Sequence, residues 1–188
     1  MNATGNLTVL SEENLVDCDD TNYACNGGWM ETAFEWIINN GGINTEDDYP
    51  YTYNYCLDPQ PCRFDANKTT YTIQEFYEVL PYNETDLMEK IATVGPISVA
   101  IDASQTSFTY YSGGVYYEPN CSQDNLDHAV LAVGYGLASY VRFHDVEIPY
   151  YLVKNSWGPD WGDEGYIKMA RLRDNNCGIA TEACYPIA

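Results

Sequence analysis

Asn125-Leu126-Asp127-His128-Ala129-Val130-Leu131-Ala132-Val133-Gly134-Tyr135-Gly136 and, further on, Tyr150-Tyr151-Leu152-Val153-Lys154-Asn155-Ser156-Trp157-Gly158 decide how this chain reads. His128 stands at the leading edge of one apolar run and Asn155 just past a second, so both are expected to project from the ends of neighbouring strands. An imidazole can take a proton from a thiol and return it to a leaving amine, provided a third group fixes its tautomer and orientation. Asn155 suits that third role, and Trp157 is expected to cover the pair and exclude water. A histidine beside an apolar run is ordinarily a core residue; here its neighbours point to chemistry.

Upstream of these runs the pattern is helical. Ser11 caps an expected short helix over Glu12 to Asp17, and Trp29 to Asn40 places Met30, Ala33, Phe34 and Ile37 on one face before Gly41-Gly42 stops it. Residues 43 to 75 read as irregular. A third helix is expected near Thr85 to Thr93, with Leu87, Met88 and Ile91 at helical spacing and Gly95-Pro96 beyond its end. Strands are expected at Ile97 to Ile101, Val115 to Tyr117, Ala129 to Tyr135, Tyr150 to Lys154 and Tyr166 to Ala170. No repeat, low-complexity tract or flexible linker interrupts them.

Several further motifs keep one order along the chain. They are Leu10-Ser11-Glu12-Glu13-Asn14-Leu15-Val16-Asp17-Cys18, Cys25-Asn26-Gly27-Gly28, Asp48-Tyr49-Pro50-Tyr51, Val94-Gly95-Pro96-Ile97-Ser98, Trp157-Gly158-Pro159-Asp160-Trp161-Gly162 and Cys177-Gly178-Ile179-Ala180. Together with the two opening stretches they resemble the papain-like cysteine peptidases, the cathepsin L branch in particular, over nearly the whole chain. The resemblance implies an α+β fold, a helical domain beside an antiparallel β-barrel. It places the remainder of the helical domain at residues 1 to 74 and the barrel domain at 75 to 188.

By the same resemblance His128 is the catalytic base and Asn155 its orienter. The family's nucleophilic Cys lies roughly 130 to 150 residues upstream of the His and Asn, which falls at or before the start of this sequence for most of that window. The nucleophile and the Gln of the oxyanion hole have no counterpart here, so the expectation is an N-terminally truncated chain without activity of its own. A hydrophobic groove and a tendency to aggregate would follow. The alternative is a non-catalytic, peptide-binding pseudo-peptidase. Cys25 precedes a helical pattern, a setting that can lower a thiol pKa, but the resemblance makes it a disulfide cysteine whose partner is missing, hence an orphan.

Substrate-binding positions carry over as Gly27, Gly28, Trp29, Met30, Ala100, Leu126, Asp127, Ala129, Trp157 and Glu182. Gly28 matches the glycine whose backbone pairs with an extended peptide. Trp29, Met30, Ala100, Leu126 and Ala129 match the apolar lining of the pocket for the second residue before the scissile bond. Glu182 matches its floor and adds acceptance of Arg to a preference for Leu or Phe; the competing reading turns that carboxylate into solvent. Ser156 lacks a hydrolase elbow and reads as structural. His144 reads as part of an exposed loop.

The chain carries seven cysteines. The resemblance pairs Cys18 with Cys62 and Cys121 with Cys177; arithmetic alone suggests Cys56 with Cys184. The spacings argue against a structural zinc site, and no metal or cofactor is expected. Disulfides and the sequons at Asn2, Asn6, Asn67, Asn83 and Asn120 suit a secretory route, lysosomal or extracellular. A net charge of −20 with only eight Lys and Arg excludes nucleic acid and anionic membrane as natural partners. No apolar run is long enough to span a membrane. The expected partners are peptide or protein substrates and the chain's own missing N-terminal segment.

Overall fold

The computed structural model of the chain describes residues 7–53, 58–68, 71–140 and 146–188. It divides into two compact units, one running to Tyr77 and including Pro186–Ala188, the other Glu78–Tyr185.

In the first unit, helix α1 (Glu12–Cys18) starts where the sequence places it, because Ser11 accepts the Asn14 N–H with its hydroxyl at 2.9 Å. Helix α2 (Met30–Asn40) begins one residue later than expected, with Trp29 in extended geometry as its cap. It ends at Gly41, whose left-handed φ of 77° lets its N–H reach back to the Ile37 and Ile38 carbonyls. Trp36, Ile37 and Ile43 form the buried core, with Leu15, Phe34, Tyr71 and Ile73 packed against it. Trp36 was not on the expected face; burial follows the packing of the whole helix rather than one stripe.

A polar network fixes the irregular stretch that follows. The buried Glu13 carboxylate receives Arg63 Nη2 at 2.7 Å and the Thr52 hydroxyl at 2.9 Å. Asp17 accepts the Tyr49 phenol at 2.8 Å and the Tyr53 phenol at 2.6 Å. The Arg63 guanidinium lies 4.5 Å from the centre of the Tyr49 ring. A backbone with little regular pairing thereby gains its hydrogen bonds from side chains.

Among the described residues seven strands form a single sheet in the order β1-β7-β2-β4-β5-β6-β3. They are β1 (Glu75–Glu78), β2 (Ile97–Ile101), β3 (Val115–Tyr116), β4 (His128–Tyr140), β5 (Val146–Lys154), β6 (Tyr166–Ala170) and β7 (Ala183–Ile187). The β2–β4, β4–β5 and β5–β6 pairs are antiparallel, whereas β3 joins β6 in parallel. The α+β class implied by the resemblance holds.

Inward-facing residues of these strands, among them Val99, Ile101, Ala132, Val153 and Ile167, are fully buried. Helix α3 (Glu84–Thr93) contributes Leu87 and Ile91, and its cap is Asn83, whose side-chain Oδ1 accepts the Thr85 and Asp86 N–H groups. A one-turn helix, α4 (Thr106–Thr109), delivers the buried Phe108. The buried Glu84 carboxylate accepts the N–H groups of Leu172 at 2.6 Å and Asn175 at 2.8 Å. Leu172, Asp174, Asn175 and Cys177 all have positive φ, so this carboxylate secures a stretch that ordinary backbone preference would not hold.

The Cys18–Cys62 and Cys121–Cys177 disulfides are present. Two cysteine expectations need correction. Cys25, in the short 3-10 turn Ala24–Asn26, is disulfide-bonded rather than an orphan. Cys184 keeps its thiol, so it does not pair with Cys56; it is fully buried on β7, in register with Ser98, where the sheet surrounds it. Cys56 itself lies outside the described residues, as does His144. Among the described residues, no helix is long and apolar enough to cross a membrane.

Candidate active site

Antiparallel pairing brings the start of β4 to the end of β5, with Leu131 opposite Lys154. His128 is therefore the first residue of its strand and Asn155 the first after its own, as the two apolar runs imply. The Asn155 N–H donates to the Gly165 carbonyl at 3.0 Å, anchoring the turn that presents the side chain.

His128 Nε2 lies 2.7 Å from Asn155 Oδ1. The Ser156 N–H donates to that same oxygen at 2.8 Å, which decides which end of the amide faces the imidazole. Since Oδ1 only accepts, Nε2 must carry the proton. Nδ1 of the neutral ring is then left with its lone pair. Asn155 is 7% exposed, so little water competes for the bond.

Aromatic rings hold the imidazole from the side. The Trp157 ring lies 5.1 Å from it at 35°, and Phe108 meets it edge-on at 6.2 Å. Phe108 also touches Trp157, Trp161 and Tyr116, with ring separations of 5.5, 5.2 and 5.7 Å. Trp161 is tethered by its indole N–H to the Thr109 carbonyl at 3.0 Å. Trp157 remains 43% exposed, so it packs on the imidazole while leaving an approach from solvent. The sequence reading found Trp157 and missed Phe108, Trp161 and Tyr116. Phe108 follows the polar stretch Gln105-Thr106-Ser107, where no periodicity signals burial.

Of the other expected positions, Ala100, Leu126, Asp127, Ala129, Trp157 and Glu182 fall in the second unit. Ala100 pairs in register with Ala129, and the Ala100 N–H donates to the Glu182 carbonyl at 2.9 Å. Asp127 is held at both ends: its N–H donates to the Ile101 carbonyl at 3.0 Å, and its carboxylate accepts the Ala103 N–H at 2.8 Å. Leu126 packs so tightly on Gly178 that any side chain there would collide with it, and the φ of 72° at Gly178 independently favours glycine. Glu182 is half-buried, not fully turned to solvent.

Gly27, Gly28, Trp29 and Met30 fall in the first unit. They line a shallow depression with Leu15, Val16, Ala24 and Ala33. The Asn22 side chain fixes its edge, accepting the Trp29 N–H at 2.7 Å and occupying the space a Cβ at Gly28 would need. Ser156 is exposed and contributes its backbone N–H alone. Among the described residues, no group of three or more His, Cys, Asp or Glu could hold a metal ion.

An imidazole held by a buried amide oxygen at the open end of a strand pair can take up a proton and return it. The family model for papain family cysteine proteases matches residues 1–187, and the chain belongs to that family. It is 51% identical over 186 residues to a cathepsin L-like peptidase of Aedes aegypti, covering 98% of this chain and 52% of that one. It is 55% identical over 182 residues to digestive cysteine proteinase 3 of Homarus americanus, covering 96% and 53%. Among solved structures, a digestive procathepsin L2 proteinase from the larval midgut of Tenebrio molitor superposes with a TM-score of 0.88 at 41% identity, over 100% of this chain and 56% of that one. The chain spans about half the length of the curated relatives it matches.

Proposed function

We propose that this chain carries the acid–base half of a papain-type cysteine endopeptidase, with His128 as general base and acid and Asn155 as its orienter. The observation that carries the reading is the 2.7 Å contact between His128 Nε2 and Asn155 Oδ1, which leaves Nδ1 free to work. His128 Nδ1 takes the proton of a cysteine thiol, and the thiolate attacks the peptide carbonyl carbon. The imidazolium returns that proton to the leaving amine, which departs as an acyl thioester forms. His128 then deprotonates the water that splits the thioester and restores the thiol.

The thiol and the oxyanion Gln belong, on this reading, to sequence beyond these 188 residues. Among the described residues every cysteine but Cys184 is in a disulfide, and Cys184 is fully buried. The same fact favours a second reading, in which the chain binds peptides without cleaving them.

The substrates are peptides or proteins. Ala100, Leu126 and Ala129 supply apolar lining for a Leu or Phe side chain two residues before the scissile bond, and Glu182 adds a carboxylate for Arg. Gly28 pairs through its backbone with an extended peptide, Trp29 and Met30 are apolar lining positions, Gly27, Asp127 and Trp157 are further substrate-binding positions, and the chain's own missing N-terminal segment is a further partner. The helical part is assigned to residues 1 to 74 and the sheet part to 75 to 188; a division of compact units at Tyr77 and Glu78 is compatible with this. Disulfides and sequons, with Asn67 and Asn120 exposed, support a secretory, lysosomal or extracellular destination.

Hydrolysis of Phe-Arg and Leu-Arg aminocoumarin amides by the whole gene product tests this. Turnover that a thiol-alkylating reagent and His128→Ala each abolish is the expected result. Peptide binding with no turnover would establish the second reading, and turnover unaffected by His128→Ala would overturn the first.

A further inference from the structure

Tyr82 connects two segments that border the proposed pocket. Its N–H donates to the Ala180 carbonyl at 2.7 Å, and its phenol donates to Asp124 Oδ1 at 2.7 Å. It does so from a left-handed backbone, with φ 61°, a conformation a bulky side chain rarely adopts unless its surroundings impose it. The same two segments are tied again by the Thr181 hydroxyl, which donates to the Gln123 carbonyl at 2.7 Å, and by Leu126 against Gly178.

The Asp124 and Glu182 carboxylates therefore stand on two strips of chain that Tyr82 joins. Hydrogen bonding to Asp124 and its charge push the Tyr82 phenol up, and the Glu182 charge adds to the effect. The phenol thus stays a donor, and both carboxylates act on it. Asp124 is exposed, and it takes part in none of the ion pairs among the described residues.

We infer that Asp124 is a second specificity residue beside Glu182, and that Tyr82 is the positioning residue that holds the Asp124 carboxylate ready for a basic side chain of the substrate. This rests on the peptide-pocket reading above and extends it from tolerance of Arg to selection for it. A planar guanidinium offers its donors in a fork and can meet two carboxylates at once, which a lone Glu182 cannot provide. A carboxylate already fixed by a phenol loses less side-chain freedom on binding. The contribution falls with added salt because Asp124 is exposed.

The test uses the 188-residue chain and requires no turnover. N-acetyl-arginine methylamide and N-acetyl-leucine methylamide are titrated separately, following backbone amide and side-chain carboxyl resonances by NMR. The expected result is that the arginine probe shifts the Asp124 and Glu182 carboxyl signals. Asp124→Asn and Tyr82→Phe each weaken that probe severalfold and leave the leucine probe unchanged. If Glu182→Ala weakens the arginine probe while Asp124→Asn and Tyr82→Phe do not, the inference fails and the pocket reading stands. Equal weakening of both probes would make Asp124 a structural residue and overturn the inference. If neither probe moves the amides of Ala100, Leu126 and Ala129, the pocket reading fails as well.

Discussion

Asn155 Oδ1 accepts hydrogen bonds from the His128 ring and from the Ser156 backbone at once, at 2.7 and 2.8 Å. The backbone bond makes the side-chain bond directional, since it prevents the amide from turning its nitrogen toward the imidazole. Neutral His128 in the isolated chain is therefore expected to be the Nε2–H tautomer, read from its ring-nitrogen chemical shifts. Asn155→Ala should give a mixture of tautomers. In the active gene product the same substitution should lower kcat more than it raises KM, by on the order of 10²–10⁴ at most. A wild-type ring protonated on Nδ1 would contradict the assignment.

Phe108 is fully buried among Trp157, Trp161, Tyr116 and His128. Replacing it with alanine removes a ring from a packed interior, and the expected loss is about 3–5 kcal/mol in urea unfolding. Phe108→Leu should cost less. In both variants the His128 ring signals should broaden or shift, because the imidazole loses one wall. A loss below about 1 kcal/mol would show that the cluster collapses around the gap.

The Cys121–Cys177 disulfide closes a sequence separation of 56 residues and lies next to the Gly178 contact with Leu126. Replacing both cysteines with serine should cost about 4 kcal/mol through the freedom returned to the unfolded chain. The peptide-probe titration adds a local readout: Leu126 should lose definition before the strands do.

Burial and the hydrogen bond to Asp17 push the Tyr53 phenol up to about 12. Burial also raises Tyr49, which shares the same carboxylate. A folded-state value above the ordinary value of about 10 means stability that is intact below pH 10 and declines as the pH rises through the folded value. Ultraviolet difference spectra should show Tyr53 ionising about two units above an exposed tyrosine, and Asp17→Asn should bring it down. Ionisation of Tyr53 near 10 in the native chain would refute this.

Much of the site could be read in one dimension because strand ends are written in one dimension. His128 opens an apolar run and Asn155 closes one, and antiparallel pairing of such runs brings those ends together. Ser11, Asn83 and Gly41 likewise act on their own neighbours. The strand β7 was not legible: Ala183-Cys184-Tyr185-Pro186-Ile187 contains a proline and no alternation, and pairing with Ser98 and Val99 makes it a strand. The chain also extends β4 to Tyr140, beyond the expected end at Tyr135, because β5 supplies partners for Leu137 to Tyr140.

By itself the sequence determined the family and the class of fold and placed His128 and Asn155 at adjoining strand ends, since motif order and local periodicity suffice for these, while the family resemblance supplied two disulfides. Tertiary structure decided which atom of His128 is left to act, which aromatic ring is buried beneath it, and that Glu84 secures the strained stretch before Cys177. It also decided the fate of Cys25 and Cys184. Each of these depends on groups far apart in the chain meeting within a few ångströms, and burial and hydrogen-bond direction exist only once they have met.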